Sequence, residues 1–255
     1  NEVACVLTAS NQEKGACVYE FEFEKTCKFG TREQCTIGEG EDVQKGEFFP
    51  GKLCSAEELA TNCGPTRQTT CVPGKDEVYF IDSCGNPANI YDSSKINDKE
   101  YWTNTKAKLD SCKANSENGN SPTCGNCNYI LGSYCRQSGD PGADRATYGD
   151  FICADLNCPT TQNGNSYKHG ESWCVFNDEG ETGEGANSVG SRFYKHICNN
   201  GKEILEQCAD FRQEECIEGV LETRLGTFSQ AACAVNRWQD CVAQTTKKDC
   251  ENQVL

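Results

Sequence analysis

The sequence predicts a small disulfide-rich α+β fold, made of tandem disulfide-stapled modules with short strands and short helices. Three observations predict it. The chain has 21 cysteines in 255 residues, which is enough for cross-links to take over the role of a large apolar core. The cysteine spacing repeats along the chain, and each repeat places a strand-like pattern before helix-like segments. Leu, Ile, Val and Phe are scarce, so several small stapled cores are expected instead of one large core.

The cysteines fall into two stretches whose spacing matches. From the second cysteine of each stretch, the gaps are 10, 8, 19, 9 and 8 residues in the first and 10, 8, 17, 8 and 9 in the second. This match predicts two copies of one module and a framework of about ten disulfides. The first stretch is Cys5, Cys17, Cys27, Cys35, Cys54, Cys63 and Cys71, and the second is Cys174, Cys198, Cys208, Cys216, Cys233, Cys241 and Cys250. The rest of the predicted framework is Cys84, Cys112, Cys124, Cys127, Cys135, Cys153 and Cys158.

Residues 1–86 form the first predicted module. Within it, the alternation of polar and apolar side chains over residues 17–24 predicts a half-buried strand. Ser55 stands before a run of helix formers and is predicted to cap a short helix. Residues 78–81 are predicted to form a short strand. The module is therefore expected to place strands before helical turns.

Residues 87–168 form a cysteine-rich intervening domain in this prediction. Its main element is a helix near residues 97–112, which is the strongest helical pattern in the chain. Asn97 is its predicted N-cap, and acidic residues in the first turn favour the positive end of the helix dipole. Loops rich in Gly, Asn and Asp follow this helix.

Residues 169–255 form the second predicted copy of the module. It is expected to end in two short helices, one over residues 229–241 capped by Ser229 and one starting near Thr245. The first copy reaches an eighth cysteine, Cys84, whereas the second has only seven. We therefore expect the second copy to be truncated and the chain to be a piece of a longer multi-module protein. A free or intermolecular thiol is the alternative explanation of the odd cysteine.

The cysteine content and the charge limit the classes of function. Disulfides on this scale persist in oxidising compartments, so we expect an extracellular or cell-surface protein. The formal net charge of −15 disfavours binding to nucleic acid and to anionic membranes, because both attract basic surfaces. No apolar run approaches the roughly 20 residues that span a bilayer.

Two sequence motifs raise the question of chemistry. Cys124-Gly-Asn-Cys127 has the C-x-x-C form, for which structural bridges are the favoured interpretation. A redox pair, or a zinc knuckle completed by Cys135, is the alternative. The two histidines, His169 and His196, do not form an H-E-x-x-H motif, and no G-x-S-x-G motif occurs. We therefore predict no catalytic residue.

Acidic loops offer a possible cation site. Carboxylate oxygens on flexible loops are typical Ca²⁺ ligands, although neither loop matches an EF-hand. A solvated surface loop is the favoured interpretation, so we predict no cofactor and keep Ca²⁺ as the alternative. The candidate ligands are Asp178, Glu179, Glu181 and Glu184 in one loop and Asp140, Asp144 and Asp150 in another.

The three tryptophans have two possible roles. Trp102, Trp173 and Trp238 could anchor small cores or offer flat faces for stacking against sugars. Because aliphatic side chains are scarce, we favour core anchors. Whether the tryptophans are buried or exposed separates a structural protein from a glycan-binding protein, since a row of exposed aromatic rings is typical of the latter.

Several stretches resemble very large cysteine-rich surface proteins of small-genome archaea of the DPANN type. The resemblance covers roughly residues 78–255 and implies a secreted or cell-surface setting and multi-module length. It implies no established chemistry, so no catalytic residue is carried over. The stretches are ESWCVF at 171–176, GSRFYKHICNNGKE at 190–203, CADFRQEEC at 208–216 and NRWQDC at 236–241, together with CGNPANIYDS at 84–93 and CGNCNY at 124–129.

These observations predict an extracellular structural or cell-surface protein, with a filament or envelope-layer subunit as one form of it. Repeated rigid modules suit head-to-tail assembly, so self-association or contact with other surface proteins is expected. Exchange of a terminal strand is one route, with residues 3–7 as the candidate donor. The first alternative is a secreted adhesin or glycan-binding module, assisted by Ca²⁺. The second alternative is a secreted hydrolase, which needs a cleft that joins a histidine to acidic residues.

Overall fold

The computed structural model describes residues 11–36, 46–176, 190–223 and 226–250. Contacts divide the chain into two compact units, Asn1–Asp155 and Leu156–Leu255, hereafter unit 1 and unit 2. Antiparallel strands dominate both units, and each α-helix among the described residues is only four or five residues long. The prediction of an α+β fold was therefore wrong, and the described part of the chain is a mostly β, disulfide-rich structure.

The described residues of unit 1 form three small antiparallel sheets. The first has the order β2-β1-β3, the second β4-β5-β6, and the third pairs β7 with β8. The short helix α1 follows β2 directly. The bounds are β1 Lys14–Phe21, β2 Glu24–Thr31, α1 Arg32–Thr36, β3 Glu47–Pro50, β4 Thr69–Cys71, β5 Val78–Ile81, β6 Pro87–Ile90, β7 Ser133–Gln137 and β8 Phe151–Asp155.

Of the two strands predicted in unit 1, the one over residues 78–81 is confirmed, and the one over residues 17–24 is confirmed only as far as Phe21. The alternating segment forms most of β1, which turns at Glu22 and Phe23 and returns as β2. The buried residues of β1 run from Gly15 to Val18, whereas Phe23 is 99% exposed at the turn. The strand predicted over residues 78–81 is β5, and its buried face carries Val78.

Two cores hold unit 1 together. One surrounds Phe80, whose ring centroid lies 5.0 Å from that of Trp102 and 5.2 Å from that of Tyr91. The Cys127–Cys153 bridge lies within this core, and both of its cysteines are fully buried. The other core packs β1 against the Cys27–Cys54 bridge. The bridges thus fill space that aliphatic side chains fill in other proteins.

The helix predicted near residues 97–112 is absent, and two 3₁₀ turns, Lys99–Trp102 and Lys108–Asp110, lie there. The first is capped by Asp98, whose carboxylate accepts from the backbone N–H groups of Glu100 and Tyr101, and not by Asn97. An isolated helix of about 12–15 residues is marginal in water. Tyr101 and Trp102 are both buried, and adjacent residues do not share one face of an α-helix. Tertiary burial therefore overrides the helical pattern.

The other helix predictions were also wrong in part. Ser55 caps no helix: its hydroxyl donates to the Trp102 carbonyl at 2.6 Å, and only a 3₁₀ turn, Glu57–Leu59, follows. The predicted helix over residues 229–241 is replaced by a strand up to Val235, because this segment pairs residue by residue with a neighbouring strand. Only the last residues of that segment, from Trp238, are helical.

A buried carboxylate gives unit 1 a pH-dependent contact. Glu77 is 5% exposed, pairs with the Lys108 ammonium and accepts from the Tyr79 hydroxyl at 3.0 Å. Burial by itself raises the pKa of Glu77, but the hydrogen bonds and the charge of Lys108 outweigh it and hold the pKa below the ordinary 4.5. Burial, followed by the charge of Glu77, raises the pKa of Tyr79.

We expect this contact to stabilise unit 1 above pH 4.5 and to be lost as the pH falls through the lowered pKa of folded Glu77. Glu77→Gln should cost about 1 kcal/mol of unfolding free energy at neutral pH and flatten the acid side of the stability profile. Urea unfolding at a series of pH values measures both. Glu58→Gln is the matched control, because Glu58 is 52% exposed in its pair with Lys52. Parallel profiles for wild type and Glu77→Gln would contradict the prediction.

In the part of unit 2 that the structure describes there are two antiparallel sheets and two short helices. One sheet has the order β11-β10-β9, and β12 and β13 form a two-stranded hairpin. Both helices follow the hairpin near the end of the described chain. The bounds are β9 Ser172–Phe176, β10 Arg192–Asn199, β11 Lys202–Asp210, β12 Glu214–Thr223, β13 Gly226–Val235, α2 Trp238–Val242 and α3 Lys247–Cys250.

Eighteen of the predicted framework cysteines lie in disulfides of the described residues. Cys5 and the side chains of Cys241 and Cys250 lie outside the described part of the structure. Nine bridges of this kind indicate folding in an oxidising, extracellular-type compartment. They are Cys17–Cys35, Cys27–Cys54, Cys63–Cys84, Cys71–Cys135, Cys112–Cys124, Cys127–Cys153, Cys158–Cys198, Cys174–Cys216 and Cys208–Cys233.

The bridges allow the two matching cysteine stretches to be compared. Cys27–Cys54 and Cys208–Cys233 join equivalent positions of the two stretches. The other pairings differ, since Cys17–Cys35 lies within the first stretch whereas the counterpart of Cys17 pairs outside its own, as Cys158–Cys198. The matching spacing thus corresponds to one shared bridge. The division into residues 1–86, 87–168 and 169–255 stays a prediction.

Candidate interaction surface

Large apolar side chains are exposed mainly in unit 2. In unit 1 the exposed ones among the described residues are Phe23, Leu109, Tyr129 and Ile130, which lie on three separate turns. In unit 2 eight are exposed by 43–76%, and most lie on β11, β12 and β13 or in α2. Large apolar side chains that are exposed on neighbouring strands are typical of protein interaction sites. The eight are Ile204, Leu205, Ile217, Val220, Leu221, Val235, Trp238 and Val242.

The hairpin β12–β13 positions the densest part of this surface, formed by Ile217, Val220 and Leu221, hereafter the hairpin surface. The two strands pair over ten residues, from Glu214 opposite Val235 to Thr223 opposite Gly226. All seven residues from Ile217 to Thr223 are exposed. Side chains alternate between the faces of a strand, so Ile217 and Leu221 lie on one face and Val220 on the other.

Covalent and polar contacts fix the base of the hairpin to the rest of unit 2. The Cys174–Cys216 bridge joins β12 to β9, and Cys208–Cys233 joins β13 to β11. The Ser229 hydroxyl donates to the Ser172 carbonyl at 2.9 Å, and the Ala231 N–H donates to the Ser172 hydroxyl at 2.7 Å. The hairpin surface is therefore held rigidly although it is exposed, which lowers the entropy cost of binding.

The hairpin surface is apolar and acidic at once. Glu218 and Glu222 lie on the same face of β12 as Val220. The Glu218 carboxylate is partly used within the unit, since it accepts from the Cys174 N–H at 3.1 Å and from the Ser229 hydroxyl at 3.3 Å. Glutamates on an exposed strand limit non-specific aggregation, because like charges oppose edge-to-edge stacking. The glutamates therefore favour specific association of the hairpin surface over non-specific aggregation.

The two histidines occupy structural positions. The His196 ring is 1% exposed, lies on Trp173 and is joined to Glu203 by a 2.5 Å contact between Nδ1 and Oε1. A group this deeply buried cannot reach a substrate. The Nδ1 atom of His169 accepts from the Asn200 N–H at 3.1 Å, and burial lowers the pKa of His169.

All three tryptophans were predicted to be core anchors, which is confirmed for Trp102 and Trp173 and wrong for Trp238. Trp102 is 2% exposed and Trp173 is 1% exposed. Trp173 stacks on Tyr167 with ring centroids 3.7 Å apart, and it packs against the Cys158–Cys198 bridge and not against the adjacent Cys174. Trp238 is 50% exposed and adds to the apolar surface of unit 2.

The C-x-x-C motif is structural. Cys124 pairs with Cys112 and Cys127 pairs with Cys153, so neither cysteine is a free thiol. Gly125 between them lies in a backbone layer: it donates to the Tyr91 carbonyl, and a Cβ there would come within 2.8 Å of Tyr91 and Val78. The motif thus needs glycine for close packing and offers no redox pair or zinc knuckle in this state.

Possible metal sites are few among the described residues. Two groups bring a carboxylate near two sulfurs, Cys63–Asp82–Cys84 and Cys208–Glu214–Cys233, but the sulfurs are paired with each other as disulfides. A disulfide has no thiolate to bind a metal. The predicted Ca²⁺ candidates Asp178, Glu179, Glu181 and Glu184 lie outside the described residues.

The second acidic loop lines a small cleft in unit 1. The cleft has a volume of about 410 Å³, and Asp144, Asp150 and Arg145 contribute its charged groups. Asp140 begins the loop and is not among the lining residues. The loop is rigidly held, because the Asp155 N–H donates to the Gly142 carbonyl at 2.6 Å. A cleft with both charge signs fits a small polar ligand better than a bare cation.

No protein-family model, curated protein or solved structure matches this chain. Among the described residues, no helix is both long enough and apolar enough to cross a membrane. The site therefore has to be interpreted from its own geometry. The hairpin surface was missed at the level of the sequence, because most of β13 was assigned to a helix. Glu215, Glu218 and Glu222 have a helix-like spacing, so no period-two pattern marks β12 as a strand.

Proposed function

We propose that this chain is an extracellular or cell-surface structural protein whose unit 2 makes protein–protein contacts through the hairpin surface. The observation that carries the proposal is the concentration of exposed apolar side chains on one disulfide-anchored hairpin. Two bridges keep that hairpin rigid, and unit 1 supplies a second stapled body. The resemblance to cysteine-rich surface proteins of DPANN-type archaea supports the same setting. A filament or envelope layer is the assembly that we propose.

Removing the apolar side chains should weaken association. Ile217→Ser combined with Leu221→Ser is expected to weaken binding to any protein partner at least tenfold, because each side chain contributes about 1 kcal/mol when buried. The full chain is compared by sedimentation velocity, by electron microscopy of non-reduced material and by retention on cells of its source.

The matched control changes two exposed apolar residues of unit 1, Leu109→Ser and Ile130→Ser, which are 67% and 85% exposed. This control should associate like the wild type. Equal association of both double variants would refute the role of the hairpin surface. Circular dichroism before and after reduction checks that each variant has formed its disulfides.

A glycan-binding function is the second candidate, and the cleft at Asp144, Arg145 and Asp150 is the observation that favours it. Carboxylates and a guanidinium can hydrogen bond the hydroxyls of a sugar. A glycan-array screen of the wild type, repeated with Asp150→Asn, tests it. Binding that depends on Asp150 would shift the assignment to an adhesin. The burial of Trp102 and Trp173 removes the row of exposed rings that this function would use.

A further inference from the structure

The outer edge of β12 is open for strand pairing. In the described residues β12 pairs with β13 alone. The N–H groups of Ser229 and Ala231 point away from β12, since they donate to Glu171 and Ser172 side chains. In an antiparallel pair the residues opposite them point away as well. Val220 lies opposite Ser229, so its N–H and C=O point outward along the open edge, as do those of Glu218 and Glu222.

A register centred on Gly219 allows this edge to pair with itself. If Gly219 lies on a two-fold axis, Ile217 faces Leu221 of a second copy and Glu218 faces Val220 of that copy. A shift of the second copy by two residues in either direction brings glutamates opposite each other, Glu218 against Glu222 or Glu218 against Glu218. Like charges directly opposite destabilise a strand pair. Of these three registers, only the one with Gly219 on the axis keeps glutamates from facing each other.

Gly219 itself supports this register. A Cβ at Gly219 would meet nothing within 4 Å, so the fold of one chain does not require glycine there. Glycine inside a strand has an entropic cost and often marks the close approach of another backbone. At the two-fold axis of an antiparallel pair, two backbones lie about 4.5 Å apart between Cα atoms. The close approach of a partner strand would explain why residue 219 is a glycine.

We infer that two copies of this chain associate through β12, with Gly219 at the two-fold axis, to form the four-stranded sheet β13-β12-β12-β13. The inference rests on the proposed function and names its partner, a second copy of the same chain. Ile217 and Leu221 from both copies then form one continuous apolar face. Such a two-fold contact closes on itself, so a longer assembly adds a different second interface.

Charge substitutions of opposite sign at Val220 test the register. In this register the Val220 of each copy lies opposite the Glu218 of the other, which gives two such pairs in a dimer. Val220→Lys therefore creates two attractive pairs, and Val220→Glu creates two repulsive pairs. Each change should alter the dimer dissociation constant by about two- to thirtyfold, downward for lysine and upward for glutamate. Sedimentation equilibrium of the full oxidised chain measures it, and amide hydrogen exchange checks that β12 becomes protected as concentration rises.

The matched controls are Ile130→Lys and Ile130→Glu in unit 1, which carry the same charges on a side chain that is 85% exposed. They should leave the dissociation constant unchanged. Weakening by both Val220 variants would place Val220 opposite itself and overturn the register. A monomer at all concentrations, with cell retention still lost in the Ile217→Ser, Leu221→Ser variant, would overturn the dimer and leave the proposed function standing. If the Ile217→Ser, Leu221→Ser variant kept wild-type self-association and wild-type cell retention, the dimer and the proposed function would both be overturned.

Discussion

Trp173→Ala is expected to unfold unit 2, with a loss of about 3–5 kcal/mol of unfolding free energy. Trp173 is 1% exposed and lies in a core whose other members are the Cys158–Cys198 bridge, Tyr167 and Val175. Apart from Leu156 and cysteines, Trp173 is the only buried large apolar side chain among the described residues of unit 2. Its removal leaves a cavity that no neighbouring aliphatic side chain can fill. Domains with marginal stability do not tolerate such a loss.

Trp238→Ala is the matched control, since the same change at a residue that is 50% exposed should cost less than about 1 kcal/mol. Urea unfolding followed by hydrogen exchange of peptides from each unit separates the two transitions. We expect unit 1 to keep its wild-type midpoint in both variants. A loss below 1 kcal/mol for Trp173→Ala would show that the bridges, and not the tryptophan, hold unit 2 together.

The oxidising compartment and the two strands of unit 1 could be predicted from the sequence, because both depend on local signals. The number of cysteines indicates the compartment whichever cysteines pair. The strand over residues 78–81 is a short apolar run, which favours a buried strand in any packing arrangement. Burial of Trp102 and Trp173 followed from composition, since a chain poor in aliphatic residues needs its largest rings inside.

The helices could not be predicted because their signals are weak compared with tertiary contacts. Serine is a favoured residue at a helix N-cap, so Ser229 looks like the start of a helix. The alanines after it also have high helix propensity. This segment is a strand instead, because Cys233 lies opposite Cys216 in the β12–β13 hairpin and its disulfide joins it to β11. A few tenths of a kilocalorie per residue in helix propensity do not compete with ten paired residues and a covalent link.

The connectivity of the bridges was beyond reach for a different reason. The matching spacing placed Cys35 and Cys216 at equivalent positions, yet their partners, Cys17 and Cys174, are not equivalent. Pairing depends on which strands lie side by side, and eight cysteines alone allow 105 pairings. The candidate surface shares this limit, because its exposure follows from the hairpin that the bridges hold in place.

Removal of the Cys71–Cys135 bridge is expected to destabilise unit 1 by about 4 kcal/mol, because this bridge spans 64 residues and restricts the unfolded chain most strongly among the described bridges of the unit. Cys112–Cys124 spans only 12 residues, so its removal should cost about 3 kcal/mol. The pair is well matched, since each bridge joins a half-buried cysteine to a buried one. Both are made as double alanine variants, so that no unpaired thiol remains.

Urea unfolding of the two double variants tests the ranking, because the entropic model depends on loop length and the packing loss is similar in both. Cys71 and Cys135 join β4 to β7, so their bridge connects strands of separate sheets across the main core of unit 1, whereas the shorter bridge closes a local loop. An equal loss for the two variants would mean that burial of sulfur, and not restriction of the unfolded chain, sets the stability. A larger loss for the long loop would show that the cross-links replace the apolar core that the composition lacks.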